Sequence, residues 1–552
     1  MLEVNLIKIY ERSFREHREL PALSDYFKKE SFSYYEMAKE IAKVHLLFEK
    51  AKIKQGDKIA LLGRANPRWC IAYMATITYG AVIVPILQDF NANDIVHIVN
   101  HSESRLLFVG DNYWDVIEPP QVERIEAVFS LTDLHCIFER DGHTLTRFQR
   151  DITRHYREAY PNGFSTSDIA YPDIPNDHVC LLNYTSGTTG YSKGVMLTVN
   201  NLTANVQFAI DEKIFYRGSR VLSFLPLAHA YGCAFDFLCP LAEGTHVTLL
   251  GKIPAAKILM EAMREVKPHL ICCVPLILEK VYRKQIAPML ERGAMRWGLK
   301  IPLVDKTIYS MIRKKLLDAF GGEVGEFIVG GAAISPDTEE FLMRIKFPIT
   351  VGYGMTETAP LISYTYWTGF KPGSVGRYLR DYLEVHIDSP DPAGVAGEIV
   401  VRGENVMAGY YKNDAATADV LRDGWLHTGD IGTMDDDGTL YIRGRSKTMI
   451  LSASGQNIYP EEIEAKLNNL YLVMESLVVE REGRLVAMVY PDYETAQTEG
   501  VGDEAIPEIM DRNLAELNGL VAPFERVSSI VIYPTEFEKT PKKSIRRYLY
   551  QL

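Results

Sequence analysis

The stretch 178-HVCLLNYTSGTTGYSKGVM-196 decides the fold, because an apolar strand-like run leads directly into a loop rich in glycine, serine and threonine. Backbone N–H groups and hydroxyls of such a loop can turn toward phosphate, and Lys193 adds a point charge. It is not a Walker loop, since Gly187 and Gly190 are only three residues apart and Lys193 does not directly follow a glycine. A plain surface turn is the alternative for this loop taken by itself.

Similar apolar runs alternate with longer helix-like segments from residue 58 onward. Runs that are apolar at nearly every position are expected of strands buried on both faces, as in parallel, helix-covered sheets. The segment DKTIYSMIRKKLLDAFGG (305–322) is predicted to be a helix, with Asp305 at its start and glycines at its end. We therefore predict an α/β fold. The runs are KIALLG, VIVPIL, RLLFVG, HVCLLNY, VLSFLP, HVTLL, LICCVP, EFIVGG and PITVGYG.

The sequence pattern changes after about residue 370. From there the chain consists of short segments bounded by turn residues, such as DSPDPAGVAGE and MDDDGTLYIRGR. Asp-Gly and proline punctuation is typical of hairpins and antiparallel strands. We predict a large domain over 1–445, with mostly parallel, helix-covered sheets and a small antiparallel barrel-like part. A small α+β domain over 446–552 is expected to follow it.

Bulk composition limits the class of protein. A 552-residue chain exceeds one core, and a net charge of -12 with a pI near 5.7 argues against nucleic-acid binding. Seven scattered cysteines without a CxxC pair indicate neither zinc nor a disulfide framework, but reduced thiols in a cytoplasmic protein. The N-terminus has no secretory signal, and the apolar stretch 71–87 is broken by Gly80 and Pro85, so we predict no transmembrane segment.

Polar residues follow further apolar runs, at the edge where a parallel sheet binds ligands. In TVGYGMTETAP (350–360), Tyr353 could stack on a base and Glu357 could hold a hard cation beside phosphates. In DGWLHTGDIG (423–432), the carboxylate of Asp430 can accept hydrogen bonds from ribose hydroxyls. The alternatives are a solvated carboxylate at a helix start for Glu357 and a turn-capping aspartate for Asp430.

The order of the motifs resembles the adenylate-forming (AMP-binding) superfamily of acyl-CoA synthetases, luciferases and peptide-synthetase adenylation domains. The resemblance covers residues 180–470, and the flanking segments fit it. VPLILEKVY (274–282) and DGWLHTGDIG are most similar to the long-chain fatty-acyl-CoA synthetases, or long-chain-fatty-acid–CoA ligases. The motifs are YTSGTTGYSKG, LPLAHAYG, GGAAIS, YGMTET, DGWLHTGD, GRSKTMI and GQNIYPEEIE.

The resemblance implies roles for the residues at its motif positions. Thr356 and Glu357 match the magnesium and triphosphate position, and Glu357 and Thr185 are the expected metal ligands. His229 matches a position lining the acyl site, with a histidine packed under a loop as the alternative. Gly455 matches a glycine beside the pantetheine tunnel, with a plain turn glycine as the alternative. The other matches are the phosphate loop (Thr185, Ser186, Gly187, Thr188, Thr189 and Lys193), the adenine pocket (Gly331, Ala332 and Tyr353) and the ribose contacts (Asp430 and Arg445).

The same resemblance implies a two-step acid–thiol ligase that uses ATP, Mg²⁺ and coenzyme A. A fatty-acid carboxylate attacks the α-phosphate of ATP to give acyl-AMP and pyrophosphate, and the thiol of coenzyme A then attacks the acyl carbon. Positioning and cations should supply most of the catalysis of the first step. The C-terminal domain is expected to rotate about Lys447, presenting a lysine first and the Gly455 face second.

The tail KTPKKSIRRYLY (539–550) has the expected adenylation lysine in an irregular register. The family places this lysine three residues after a proline, where the chain has Ser544. In an extended segment Lys542 would share a face with Ser544, whereas in an irregular loop Lys543 is nearer. We predict Lys543 first and Lys542 second as the catalytic lysine, the alternative being that both are solvated. The two arginines expected to face solvent or the phosphates of coenzyme A are Arg546 and Arg547.

Three other functions stay open on the sequence. A fatty-acyl-AMP ligase or acyl-[acyl-carrier-protein] synthetase would change the acceptor, and an aryl or short-chain acyl-CoA ligase would change the acid. A nucleotide-binding protein without catalysis would keep the fold alone. Chain length, oligomeric state and pathway are undetermined, and the lipid-like substrate leaves peripheral membrane association open.

Overall fold

Eight strands form a mixed sheet around the run that precedes the phosphate loop. The structure, a computed structural model, describes residues 1–185, 192–251, 255–282, 286–291, 293, 297, 301, 304–451, 457–481, 483–540 and 545–550. Val179–Thr185 pairs in parallel with Val82–Ile86 and antiparallel with Lys193–Thr198. In spatial order the strands are Gly409–Tyr410, Lys193–Thr198, Val179–Thr185, Val82–Ile86, Lys58–Leu62, Leu106–Val109, Ala127–Ser130 and Cys136–Glu139.

A second sheet of seven strands takes up the remaining predicted runs of the large domain. Its neighbouring strands pair in parallel, except for the antiparallel pair Pro21–Asp25 and Ser31–Ser33 at one edge. Pro21–Asp25 joins the sheet beside His246–Leu249, more than 200 residues away in sequence. In spatial order the strands are Ile349–Val351, Glu326–Val329, Leu270–Cys273, Arg220–Ser223, His246–Leu249, Pro21–Asp25 and Ser31–Ser33.

Helix Pro67–Tyr79 joins the two sheets. It begins after the N-cap Asn66, whose side chain accepts from two backbone N–H groups, and ends at Gly80, whose φ of 87° favours glycine. It contacts Pro21–Asp25 of the second sheet and two strands of the first. Its side chains are apolar nearly all round, with Trp69 fully buried, as expected of a helix enclosed on every side.

The part of the chain before residue 446 contains further helices. Val304–Ala319 confirms the helix predicted from the segment 305–322. The remaining α-helices are Leu6–Glu16, Tyr34–Lys50, Ala92–Ser102, Asp111–Trp114, Thr144–Arg150, Ile152–Ala159, Val199–Asp211, Ala230–Cys233, Cys239–Ala242, Ala256–Val266, Pro275–Val281, Ala287–Glu291, Pro336–Arg344 and Asp414–Val420. A π-helix spans Ala234–Leu238, and the 3₁₀-helices are Pro119–Gln121, Thr166–Asp168, Thr356–Thr358 and Trp367–Gly369.

Antiparallel strands follow the second sheet, as the punctuation after residue 370 predicts. A small sheet contains Tyr353–Gly354, Leu361–Tyr364 and Arg377–Tyr378. A five-stranded sheet is centred on the long strand Trp425–Met434, whose residue Asp430 lies opposite Arg445. Its other strands are Leu383–Asp388, Gly397–Gly403, Leu421–Arg422 and Leu440–Arg445.

The C-terminal segment has its own buried residues, separate from the core of the large domain. One apolar cluster extends from Ile458 to Val527, whereas the main core ends at Leu440. The strands are Ile450–Leu451, Asn457–Ile458, Val473–Arg481, Arg484–Pro491 and Ser529–Ile532, and the α-helices are Pro460–Leu467, Tyr493–Glu499 and Ile506–Leu520. The 3₁₀-helices are Asp503–Ala505, Pro523–Glu525 and Arg547–Leu549. The domain boundary between residues 445 and 446 stays a prediction.

The α/β fold class is confirmed, with parallel sheets, an antiparallel part and a C-terminal α+β segment. All seven cysteines are unpaired, and all but Cys136 are buried. Within the described ranges, no helix has the length and apolar character needed to cross a membrane.

Candidate adenylation site

The phosphate-loop motif begins and ends on two paired strands. Thr185 and Lys193 lie directly opposite each other at the ends of Val179–Thr185 and Lys193–Thr198. The antiparallel pairing therefore fixes both ends of the loop on the rigid eight-stranded sheet. The loop residues predicted to contact phosphate lie outside the described residues, so their roles stay predictions: Ser186, Gly187, Thr188 and Thr189.

Lys193 and Glu357 are joined through one tyrosine ring. The Lys193 ammonium lies 4.8 Å from the centroid of the Tyr410 ring, where the electron-rich face attracts a cation. The Tyr410 hydroxyl donates a 2.8 Å hydrogen bond to Oε1 of Glu357. None of the sequence motifs marks Tyr410. The only cue to it in the sequence is the aromatic pair Tyr410 and Tyr411 after Gly409, which is a weak signal.

Glu357 lies in a short 3₁₀-helix, Thr356–Thr358, and is only 8% exposed. The backbone N–H of Met407 donates to its carbonyl oxygen at 2.9 Å, which ties this turn to the segment before Tyr410. Its burial argues against the alternative of a solvated carboxylate at a helix start. Thr356 is buried beside it, so the pair predicted for the magnesium and triphosphate position is brought together.

Asp430 is buried at the centre of a second cluster. Its Oδ2 accepts a 2.7 Å hydrogen bond from the Tyr353 hydroxyl, and its Oδ1 lies 2.9 Å from Nε of Arg445. Asp430 is 3% exposed, and this burial raises its pKa, while the Arg445 guanidinium acts in the opposite direction. Each carboxylate oxygen has a second lone pair, so Asp430 can also accept from ribose hydroxyls.

The cluster around Glu357 and the cluster around Asp430 interact electrostatically. Burial is the main cause of the raised pKa of Asp430, and the negative charge of Glu357 raises that pKa further. Tyr353, in strand Tyr353–Gly354, and Glu357, in the 3₁₀-helix that follows, are four residues apart in sequence. The structure thus brings Lys193, Glu357 and Asp430 into one region, with acidic groups whose mutual repulsion a cation would relieve.

The buried carboxylate of Glu357 fits a Mg²⁺ ion that takes most of its ligands from a nucleotide. Such ions bind one or two carboxylates together with substrate phosphates and water. Over the described ranges there is no group of three histidine, cysteine or acidic side chains placed to hold a metal. A metal at Glu357 would therefore depend on phosphate oxygens, with the Thr185 hydroxyl as the other predicted protein ligand.

The predicted adenine and acyl residues lie next to each other. Gly331 follows strand Glu326–Val329 with a φ of 85°, and Ala332 after it is exposed. A Cβ on the preceding Gly330 would lie 3.2 Å from the Tyr231 ring, whose hydroxyl donates to the Ile328 carbonyl at 2.8 Å. Nδ1 of His229 accepts from the Tyr231 backbone N–H at 3.3 Å. Tyr231 therefore connects His229 to the glycine loop.

The predicted hinge follows strand Leu440–Arg445. Lys447 is exposed in a turn that is closed by hydrogen bonds from the N–H groups of Thr448 and Met449 to the Arg445 carbonyl, each 3.1 Å. The N–H of Ser446 also donates to the Gly429 carbonyl at 2.9 Å, so the turn abuts the Asp430 strand. Gly455 lies outside the described residues, and its predicted role in the pantetheine tunnel stays a prediction.

The tail folds back on itself around the predicted lysines. Lys539 and Ile545 form an antiparallel bridge, and the N–H of Arg546 donates to the Glu538 carbonyl at 2.8 Å. The N–H of Glu538 donates to the Tyr550 hydroxyl at 2.7 Å. The predicted catalytic lysines fall between the bridged residues but outside the described ones, so neither is tested: Lys542 and Lys543.

The expectation that Arg547 faces solvent or coenzyme A is wrong. Its side chain is 19% exposed and pairs with the carboxylate of Glu464, which is itself only 11% exposed, and with Glu461 at 3.5 Å. Burial raises the pKa of Glu464 to about 7 despite this arginine. Arg547 therefore anchors the tail to helix Pro460–Leu467, a contact 83 residues distant in sequence.

The fold and the site together fit a protein that binds a nucleotide between a buried carboxylate pair and the phosphate-loop lysine. A profile described as "AMP-binding enzyme" matches residues 10–411. The chain therefore belongs to the AMP-binding enzyme family, which confirms the resemblance seen in the motifs.

Several proteins similar in sequence to this chain are named as fatty-acid–CoA ligases or acyl-CoA synthetases. The long-chain-fatty-acid–CoA ligase FadD15 of Mycobacterium bovis is 27% identical over 93% of this chain and 89% of its own length. The peroxisomal long chain acyl-CoA synthetase 7 of Arabidopsis thaliana is 29% identical over 88% and 74%. The crystal structure of ATP-bound MatB from Rhodopseudomonas palustris has a TM-score of 0.76 at 22% identity, covering 99% of this chain and 98% of that one. This last likeness shows the fold.

Proposed function

We propose that the protein is a long-chain-fatty-acid–CoA ligase that forms acyl-AMP from a fatty acid and ATP, then transfers the acyl group to coenzyme A. Family membership supports adenylation, and the names of relatives that align over most of the chain support the fatty-acid substrate and the coenzyme A acceptor. The predicted acid–thiol ligase class agrees with both.

One observation carries the proposal: Tyr410 contacts both the phosphate-loop lysine, Lys193, and Glu357, and the charge of Glu357 acts on the predicted ribose residue Asp430. A cation, a metal-binding carboxylate and a ribose-binding carboxylate in this order match the triphosphate and ribose of one ATP molecule. A plain surface turn would not bring buried acids and a lysine together.

In the first half-reaction, an oxygen of the fatty-acid carboxylate bonds to the α-phosphorus, and the bond from that phosphorus to the pyrophosphate oxygen breaks. Lys193 and backbone N–H groups of the loop stabilise the charge on the phosphate oxygens. Asp430 holds the ribose, so that the α-phosphate stays in place for attack. Mg²⁺ held at Glu357 with Thr185 would neutralise further phosphate charge when bound.

In the second half-reaction, the thiol sulfur of coenzyme A bonds to the acyl carbon, the carbon–oxygen bond to AMP breaks, and the thiol proton passes to solvent. We expect the segment 446–552 to rotate about Lys447 between the steps, because separate groups must approach the same carbon. Lys542 or Lys543 would serve the first step and the Gly455 face the second.

The test is a panel of fatty acids from short to long, assayed with ATP and coenzyme A for release of AMP and formation of acyl-CoA. We expect AMP release with long chains and a matching amount of thioester. AMP formation without thioester would favour a carrier-protein acceptor, and activity confined to aryl or short acids would overturn the substrate class.

Two sets of variants test which lysines act in adenylate formation. Lys193→Met should slow adenylate formation strongly, whereas Lys412→Met, which removes a lysine 5.0 Å from the neighbouring Tyr411 ring, serves as the matched control. Lys542→Ala and Lys543→Ala are scored separately for adenylate formation and for thioester formation from supplied acyl-AMP. If neither slows the first step, neither is the adenylation lysine.

A further inference from the structure

Tyr410 contacts Lys193 with the face of its ring and Glu357 with its hydroxyl. The ring is 5% exposed and lies between the Lys193 ammonium, 4.8 Å from its centroid, and Oε1 of Glu357, 2.8 Å from its hydroxyl oxygen. Lys193 and Glu357 are both described, and they form no ion pair with each other within 4.0 Å. The tyrosine therefore stands where a direct pairing of the two charges would otherwise be favourable.

The backbone around Tyr410 is fixed to both of the elements that its side chain connects. Tyr410 pairs with Val195 on the strand that begins at Lys193, and the N–H of Tyr411 donates to the Gly194 carbonyl at 2.8 Å. On the other side, the N–H of Met407 donates to the Glu357 carbonyl at 2.9 Å. The main chain around Tyr410 is therefore bonded to both of the elements that carry its side-chain partners.

We propose that Tyr410 is a positioning residue that holds Lys193 and Glu357 apart, so that the lysine meets phosphate and the carboxylate meets a divalent cation. The inference rests on the proposed function and assigns a role to a residue outside the family motifs quoted above. A lysine paired with the carboxylate would neutralise it, and each group would then be lost to the nucleotide. The ring attracts the ammonium without donating or accepting a proton.

The hydroxyl has a separate task, which is to orient the carboxylate. The Tyr410 hydroxyl donates a hydrogen bond to Oε1 of Glu357 at 2.8 Å, and the carboxylate accepts it. A hydrogen bond on Oε1 fixes the carboxylate plane and leaves Oε2 and the second lone pair of Oε1 for a cation. Outer groups that orient a metal-binding side chain in this way typically affect metal affinity or activity by about 10-fold to 100-fold.

The two tasks are separated by two substitutions. Tyr410→Phe keeps the ring over Lys193 and removes only the donor to Glu357. Tyr410→Leu removes both, which frees Lys193 to pair with Glu357. Tyr411→Phe is the matched control, because the Tyr411 hydroxyl donates to Glu103 at 3.1 Å, away from Glu357.

Binding of ATP is measured by isothermal titration calorimetry, once with excess Mg²⁺ and once with EDTA, on the full chain. For Tyr410→Phe we expect about 10-fold weaker binding of the magnesium complex and unchanged binding of metal-free ATP. For Tyr410→Leu we expect both affinities to fall. In exchange of pyrophosphate into ATP, Tyr410→Phe should raise the KM for the magnesium complex more than it lowers kcat.

Two outcomes overturn the inference. Tyr410→Phe with wild-type affinity for the magnesium complex would show that the hydroxyl does not orient Glu357. Equal weakening with and without metal, together with a lowered melting temperature, would show a purely structural role. If the wild-type protein exchanges no pyrophosphate with any fatty acid, the proposed function fails, yet the calorimetry still decides the role of Tyr410.

Discussion

Replacing Arg547 with alanine should destabilise the C-terminal segment in a pH-dependent way. The Glu464 carboxylate is 11% exposed in the wild-type protein, and the substitution removes its arginine partner. The N–H of Val478, which donates to this carboxylate at 2.6 Å, is still present in the variant. Removal of one partner of a buried ion pair destabilises a protein by about 3–5 kcal/mol. Protonation of Glu464 would lower this destabilisation, because a neutral carboxyl group does not need a charged partner. We expect about 3 kcal/mol at pH 8.5, roughly a 100-fold change in the opening equilibrium.

The pKa of Glu464 fixes the direction of the pH effect. Its value of about 7 in the folded protein lies above the usual 4.5, because burial disfavours the charged form. At pH 5.5 the carboxyl is protonated with or without the arginine, so the cost of Arg547→Ala should fall to about 1 kcal/mol, that of a hydrogen bond lost from a neutral carboxyl group. The cost should grow as pH rises through 7.

The assay must report on the C-terminal segment alone. All five tryptophans precede residue 426, so tryptophan fluorescence follows the large domain. Hydrogen exchange of the peptides that cover 460–467 and 473–481, expressed as protection factors at pH 5.5 and 8.5, reads the segment directly. Arg546→Ala is the control, since the adjacent arginine has no ion pair among the described residues.

The double variant Arg547→Ala with Glu464→Gln completes the experiment. A glutamine has no charge to leave unpaired, and its carbonyl can still accept from Val478, so protection at pH 8.5 should recover by more than half. The reasoning is refuted if Arg547→Ala behaves like Arg546→Ala, if its cost is the same at both pH values, or if Glu464→Gln restores nothing.

Three further predictions concern the large domain and the hinge. Glu339 is 6% exposed, and burial raises its pKa to about 7 from the usual 4.5, so ionisation of Glu339 lowers the stability of the protein as pH rises between these values. In urea denaturation, Glu339→Gln should be up to about 3 kcal/mol more stable than wild type above pH 7 and equally stable below pH 4.5. Equal effects at both ends of the range would contradict it. Lys447→Pro, by fixing φ, should impair one half-reaction more than the other in separate assays of adenylate and thioester formation, and equal loss of both, or none, would count against the hinge. Gly354→Ala should destabilise the fold by several kcal/mol, as followed by thermal unfolding, because a Cβ there would overlap the Pro360 carbonyl oxygen, whereas Gly352→Ala, whose Cβ would lie 3.5 Å from its nearest neighbour, should be nearly neutral; similar melting temperatures for the two would refute the packing argument.

The strands of the two large sheets could be predicted because they are buried on both faces. Runs such as 59–62 and 270–273 are apolar at every position, and short runs of this kind are typical of strands inside a helix-covered sheet. Their division between two sheets is not visible in the sequence, since the runs of both sheets are similarly apolar. Strand Pro21–Asp25 was not predicted, because PALSD lacks β-branched residues and is stabilised by pairing with 247–249.

The sequence could point to candidate site residues where a motif marks them, but not where only a distant contact does. Asp430 and Glu357 stand in distinctive polar motifs after apolar runs, and both are buried in the site. Tyr410 takes its role from Lys193 and Glu357, far away in sequence. Arg547 looks like a solvent-facing base because its buried partner, Glu464, lies 83 residues earlier.

The most direct test of the adenylation site is exchange of labelled pyrophosphate into ATP by the wild-type protein without coenzyme A. Exchange requires formation and reversal of acyl-AMP at the site built from Lys193, Glu357 and Asp430. We predict exchange that depends on a long-chain fatty acid and gives way to net AMP release when coenzyme A is added. Absence of exchange with every fatty acid tested would contradict the proposed function.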